Sequence, residues 1–285
     1  MSKFVLGTAQ FGLNYGVNNR NGQVELDEVK SILECAKKNR INTLDTAPAY
    51  GNSEEVLGKT IFDDFQIITK TTSIANGIDK VIDDFHQSLG DLNKASIYGL
   101  LVHNIDEIEC KNFNFLIEKL DELKQEGKVK KIGFSVYTPE QIDFLFENFD
   151  FDLLQLPINI FDQRLIIDGK LKKLKDKGIE THARSIFLQG LLLMEYDLIP
   201  SYFSPINKKI DLFHELAKNM SLSRLELALG FVLSIQEIDK IVIGVNTTSQ
   251  LNEIIKATKV NVNALDFKSI SIDNADYINP SLWKI

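Results

Sequence analysis

Short β-rich runs alternate with amphipathic segments along the whole chain. The β-rich runs are Phe4–Leu6, Thr43–Leu44, Gln66–Thr69, Ser96–Val102, Val129–Phe134, Leu153–Leu156, Glu180–Ala183 and Lys240–Ile243. Between them apolar positions recur at intervals of three and four, as with Val81, Phe85 and Leu89, the spacing of one helix face. Helices are therefore predicted over segments such as Leu26–Lys38, Ser53–Lys59, Ile78–Leu89, Phe113–Gln125 and Pro139–Glu147. Local signals agree. Thr138-Pro139 puts proline at a first helical position, Asn52 or Ser53 is placed to cap the helix near Glu54, and Gly127 and Gly178 follow lysine-bearing helix ends.

Repeated strand–helix units imply a parallel sheet. Eight of them in 285 residues predict an α/β protein, a single (β/α)8 TIM barrel forming one domain over residues 1–285. The first strand–helix turn, Gly7 to Gly12, reads GTAQFG; it lacks the GxGxxG pattern of an open dinucleotide-binding sheet and runs into a loop, Asn14 to Gly22. The stretch Leu191 to Pro205 reads as an insertion in the loop after strand seven.

In such a barrel the site forms at the C-terminal ends of the strands. Strand two ends in Asp45, three in Lys70, four in His103, five in Ser135 and six in Gln155, while seven runs into Arg184-Ser185 and eight ends at Gly244. Tyr50 follows Asp45 by five residues, just before Gly51. Taken singly each has a plain explanation: Asp45 a turn cap, Lys70 a solvated strand end, His103 a structural histidine, Tyr50 a packing residue. Together they solve one problem. A phenol titrates near 10; a neighbouring ammonium favours its phenolate, a carboxylate holds that ammonium charged and oriented, and a histidine hydrogen-bonds a substrate oxygen or relays a proton. Such a tyrosine can protonate a carbonyl oxygen or deprotonate an alcohol.

Here the chain resembles the aldo-keto reductases along nearly its whole length. "LDTAPAYGNSEEVLGK" is similar to that family's signature, and "IITK", "LLVHN", "GFSVY", "QLPIN" and "VIGVNTTSQLNEI" follow in order. The resemblance implies a catalytic tetrad of Asp45, Tyr50, Lys70 and His103, and a nicotinamide cofactor extended over the barrel mouth. It places Gly7, Thr8, Asp45, Ser135, Gln155, Arg184, Ser185, Gly244, Asn246, Thr248, Gln250 and Glu253 along that cofactor, with Ser135 and Gln155 on the carboxamide and Gln250 and Glu253 at the adenosine end. Val136 stands where the family often has asparagine, and Arg184 where many members stack an aromatic ring. Asn246 and Gln250 replace the arginine that grips a 2′-phosphate. The helix N-terminus that remains, with its hydroxyls and N–H groups, puts NADP(H) ahead of NAD(H) by a small margin. The hairpin that plugs the barrel bottom in many members has almost no room before Gly7.

Composition narrows the alternatives. The 44% apolar and 25% charged residues are ordinary for a globular protein, and a net charge of −8 argues against nucleic acid or an anionic membrane as partner. No apolar run reads as a signal peptide or approaches the ~20 residues of a membrane span, so a cytoplasmic location is expected. Cys35 and Cys110 read as free thiols. With four histidines in all, and His86 and His214 inside predicted helices, no metal site is expected. A non-catalytic nucleotide-binding regulatory subunit of the same fold is the alternative reading. The expected partner is a small carbonyl compound, for which Gln10, Asn14, Asn104 and Gln189 suggest a sugar or other hydroxylated carbonyl. Phe11, Tyr15, Phe187, Tyr196 and Tyr202 are candidate pocket aromatics. The oligomeric state is not legible.

Overall fold

The computed structural model describes residues 2–61, 64–109, 112–260, 262 and 266–285. Eight parallel strands close into a barrel in sequence order: β1 (Phe4–Gly7), β2 (Thr43–Asp45), β3 (Gln66–Lys70), β4 (Ile97–Val102), β5 (Val129–Ser135), β6 (Leu153–Pro157), β7 (Glu180–Arg184) and β8 (Lys240–Gly244). Gly7 pairs with Asp45 on one side and Gly244 on the other, which closes the ring. Strands two, three, five and seven each keep a polar last residue in the ladder. The apolar pattern breaks there, but backbone hydrogen bonding does not depend on side-chain polarity. That one-residue extension fixes Asp45, Lys70, Ser135 and Arg184 on rigid backbone.

The helices that bear on the site are α1 (Leu26–Lys38), α2 (Ser53–Thr60), α3 (Ile78–Asp91) and α4 (Thr248–Ala257). Each buries its apolar stripe against the sheet; in α1 these are Val29, Ile32, Leu33 and Ala36. A small separate cluster, Ile68, Leu101 and Leu153, packs with Tyr98 from the strands alone. The helix Pro139–Asn148 has the predicted start, with Thr138 and Gln141 forming a reciprocal capping box. Gly127 and Gly178 adopt the left-handed conformation of helix ends. The segment after β7 is a series of 3₁₀ turns, Leu188–Leu193, Tyr196–Leu198 and Ser201–Ile206.

The cap of α2 differs from expectation. Neither Asn52 nor Ser53 supplies it. Asn52 Oδ1 accepts from Gln23 Nε2 at 2.8 Å, while Ser53 Oγ donates to the Thr8 carbonyl at 2.9 Å. Tertiary contacts have claimed both side chains. Cys35 is a buried free thiol, and Cys110 lies outside the described residues. Among the described residues, no helix is long and apolar enough to cross a membrane, and no three His, Cys, Asp or Glu residues are grouped as metal ligands.

Candidate active site

The C-terminal strand ends surround a cavity of about 590 Å³. Gly7, Asp45, Lys70, Ser135, Gln155, Arg184 and Gly244 line it from the strands, and Tyr50 and His103 from the loops just beyond β2 and β4. Asp45 and Lys70 are buried, with Lys70 Nζ 2.8 Å from Asp45 Oδ1. The ammonium also donates to the Thr46 carbonyl at 2.8 Å. Asp45 Oδ2 accepts from Gln155 Nε2 at 2.6 Å, so both its oxygens are held. The Lys70 ammonium then lies 4.8 Å from the centroid of the Tyr50 ring, and the His103 ring meets Tyr50 edge-on at 6.3 Å between centroids.

Backbone contacts fix Tyr50 from below. Tyr50 N–H donates to the Ala47 carbonyl, and the Tyr50 carbonyl accepts from Ser53 N–H. Gly51 is left-handed at φ +61°, and a Cβ there would fall 2.3 Å from the Gly12 carbonyl oxygen. A Cβ on Gly12 would fall 1.8 Å from the Tyr50 carbonyl oxygen. Two glycines thus let the first loop press directly on the tyrosine's turn. Thr8 holds the neighbouring strand end: its N–H and its Oγ1 both donate to the Asp45 carbonyl at 3.0 Å.

The electrostatics suit proton donation. Burial pushes the Lys70 ammonium down, yet Asp45 and Tyr50 more than offset this and hold it above its ordinary value. Burial pushes the Tyr50 phenol up; Lys70 opposes it and Asp45 reinforces it, leaving the phenol above 10. Lys70 therefore acts in the expected direction, but it moderates a rise and does not produce a net fall. Burial and the Lys70 charge push His103 down to about 4 against the pull of Asp45, so it is neutral at physiological pH.

The remaining expected residues divide. Ser135 is buried and lines the cavity. Gln155 lines it too, but its amide donates to Asp45. Arg184 stacks on Tyr137 at 4.1 Å from the ring centroid, and its Nη2 donates to the Val136 carbonyl at 3.1 Å. Ser185, at φ +56°, accepts from Arg184 Nη1 at 3.3 Å. Asn246, Gln250 and Glu253 line the far end, where Gln250 Oε1 accepts from Asn246 N–H at 2.7 Å. Thr248 does not line the cavity. Its N–H donates to Glu28 Oε1 at 2.5 Å, and its hydroxyl is buried with no hydrogen-bond partner.

Of the expected pocket aromatics, Tyr15 and Phe187 line the cavity. Phe11 does not: the turn Ala9–Gly12 carries its ring fully into the core. Tyr196 and Tyr202 also lie outside it, the latter donating to the Asp276 carbonyl at 2.9 Å. Gln10 and Gln189 line the cavity, whereas Asn14 and Asn104 do not. The sequence reading missed Tyr137, the first-loop Asn18 and Asn19, and the C-terminal Pro280 and Ser281, all of which line it.

The family model described as Aldo/keto reductase family matches residues 3–274. The chain is 25% identical to the NADH-specific methylglyoxal reductase of Escherichia coli (strain K12), with 93% of this chain and 92% of that protein covered. It is 24% identical to L-galactose dehydrogenase of Arabidopsis thaliana, covering 88% of this chain and 84% of that one. Among solved structures, aldo-keto reductase AKR11C1 from Bacillus halodurans (holo form) superposes with a TM-score of 0.76 at 20% identity, covering 94% and 91% of the two chains. That likeness is one of fold.

Proposed function

Because the chain belongs to the aldo/keto reductase family, we propose that it reduces an aldehyde or ketone to the alcohol with Tyr50 as the proton donor. Membership makes it an NAD(P)-dependent oxidoreductase acting on small carbonyl compounds. The observation that carries Tyr50 as donor is its place against a buried Lys70 that Asp45 keeps charged.

The residues present fit a nicotinamide dinucleotide. The cavity runs from the charged strand ends to the start of α4, and its volume is that of a typical cofactor site. Ser135, Gln155 and Arg184 would hold the nicotinamide end, and Gln250 and Glu253 the adenosine end. When bound in reduced form, the cofactor supplies a hydride to the carbonyl carbon. The chain's own residues handle the proton. Tyr50, protonated at neutral pH, gives its proton to the carbonyl oxygen as charge develops there. Lys70 stabilises the resulting phenolate, and Asp45, itself fixed by Gln155, keeps Lys70 in place. Neutral His103 contributes a hydrogen bond to the substrate oxygen.

The cavity carries amide side chains at Gln10, Asn18, Asn19 and Gln189 beside the aromatic rings of Tyr15 and Phe187. Amides next to rings favour a hydroxylated carbonyl compound such as an aldose, in keeping with the sugar named for the Arabidopsis relative. The reading treats residues 1–285 as one catalytic domain. It is tested by following loss of reduced cofactor across a panel of aldehydes, ketones and aldoses. Turnover is expected with at least one hydroxylated carbonyl; cofactor binding with no turnover on any of the panel would overturn it.

A further inference from the structure

Arg184 brings to the cavity a charge that nothing in the chain answers. It is half-buried at the end of β7, with its guanidinium 4.1 Å from the centroid of the Tyr137 ring. The two other half-buried arginines are paired, Arg164 with Asp162 and Arg224 with Glu195. Among the described residues Arg184 has no ion pair, and its two hydrogen bonds run to neutral oxygens, the Val136 carbonyl and Ser185 Oγ. A guanidinium has five N–H donors, of which these contacts use two and leave three. The other charges of the cavity do not cancel it. Asp45 and Lys70 neutralise each other, and Glu253 stands at the far end. The strand-end half therefore carries one net positive charge. Burial and the Lys70 and Asp45 charges dominate the titration of Tyr50 and His103, but the Arg184 charge reaches both rings and favours the deprotonated form of each. The unanswered cation thus stands within range of the reacting groups.

Resting on the reductase reading above, we propose that Arg184 anchors a carboxylate on the carbonyl substrate, so that the chain prefers acidic carbonyl compounds, such as a uronic acid or an aldehyde acid, to their neutral counterparts. A nicotinamide ring does not answer the charge, being neutral when reduced and cationic when oxidised. A carboxylate does, and it matches the planar fork of a guanidinium through two parallel N–H donors. One N–H given to the carboxamide at the nicotinamide end still leaves two of the three for the substrate. The Tyr137 ring and the Val136 carbonyl hold the guanidinium in place, so little side-chain freedom is lost when the anion binds. The amides and rings of the cavity then meet the hydroxylated body of the substrate, and Arg184 meets its charge.

The test compares kcat/KM for matched pairs, glucuronate against glucose and succinic semialdehyde against butanal, with saturating NADPH or NADH. Wild type is expected to favour the acid at least about tenfold in each pair, mainly through KM, the contribution of one hydrogen bond to a charged group. Raising the salt concentration should shrink that ratio by screening. Neither measurement needs a variant. Arg184→Gln removes the charge. Any loss it causes at the nicotinamide end is common to both members of a pair, so the acid-to-neutral ratio isolates the substrate contact, and it should fall about tenfold. Arg184→Lys should keep part of the ratio, because the charge remains without the fork. Cofactor affinity of each variant is read in parallel from quenching of protein fluorescence. A wild-type ratio near one would overturn the assignment. So would a ratio that Arg184→Gln leaves intact while cofactor affinity falls, since the charge would then serve the cofactor. Absence of turnover on every carbonyl, acidic or neutral, would instead overturn the reductase reading beneath it.

Discussion

The two ends of the barrel hold the same four kinds of side chain in different arrangements. At the C-terminal end stand Asp45, Tyr50, Lys70 and His103; near the N-terminal end stand Glu180, Tyr98, Lys131 and His182. In the second set the carboxylate is the hub. Tyr98 Oη donates to Glu180 Oε2 at 2.6 Å, Lys131 pairs with the same oxygen, and His182 Nε2 lies 2.7 Å from Oε1. Burial acts to raise the Glu180 carboxyl, but these three contacts hold it well below the usual carboxylate range. In the first set, Lys70 and Gln155 take the carboxylate, and Tyr50 and His103 are left beside the cavity. A hollow of equal volume exists at the other rim too, yet of Glu180, Tyr98, Lys131 and His182 only Tyr98 lines it, with the hydroxyl already bound. Residue type alone does not distinguish the two sets. What separates them is whether the phenol has a permanent acceptor.

The contrast can be broken at its centres. Asp45→Asn should do the most damage, because it leaves the Lys70 ammonium buried without a counter-charge. A stability loss of about 3–5 kcal/mol is expected in urea unfolding, and turnover should fall at least ~100-fold. Glu180→Gln should cost somewhat less, roughly 3 kcal/mol, since Lys131 and Glu180 are partly solvated. Its turnover should remain near wild type. A large loss of activity there would mean that the two ends are coupled.

His103 sharpens the comparison through pH. Its folded value is depressed to about 4, while the unfolded chain takes up the proton near 6.5. Its contribution to stability is therefore complete above about pH 6.5 and is lost as pH falls from there towards 4. An NMR titration of the ring should show a midpoint near 4, and His103→Gln should flatten the dependence of unfolding on pH in that window. A midpoint near 6.5 would mean that the ring is solvated and not set against Lys70.

The barrel and the gathering of Asp45, Tyr50, Lys70 and His103 at one rim were legible because both are written locally. Apolar runs mark the strands, and each run breaks where a polar residue enters the site, as at Asp45 and Lys70. Contacts between distant segments left no such mark. Glu28 looks like any first-turn acid of an amphipathic helix until α1 packs on α4. Phe11 reads as a pocket aromatic because nothing in the sequence shows that its short turn rotates the ring into the core. Pro280 and Ser281 reach the cavity because the tail folds back, with the Trp283 ring against Phe203 at 4.9 Å between centroids. Gln155 was placed on the cofactor's carboxamide by the family resemblance, and its bond to Asp45 is visible only in the fold.

The central claim is that Tyr50 is the proton donor because, of the Tyr50 and Tyr98 phenols, its own is the one with no fixed carboxylate acceptor. The direct measurement compares carbonyl-reduction rates and denaturant unfolding of Tyr50→Phe and Tyr98→Phe under the same conditions. Tyr50→Phe is predicted to lose at least ~100-fold in turnover with cofactor affinity and stability nearly unchanged. Tyr98→Phe is predicted to keep turnover within about twofold while losing roughly 1.5–3 kcal/mol of stability with its bond to a charged carboxylate. Near-normal turnover in Tyr50→Phe, or a comparable loss of turnover in Tyr98→Phe, would contradict the account.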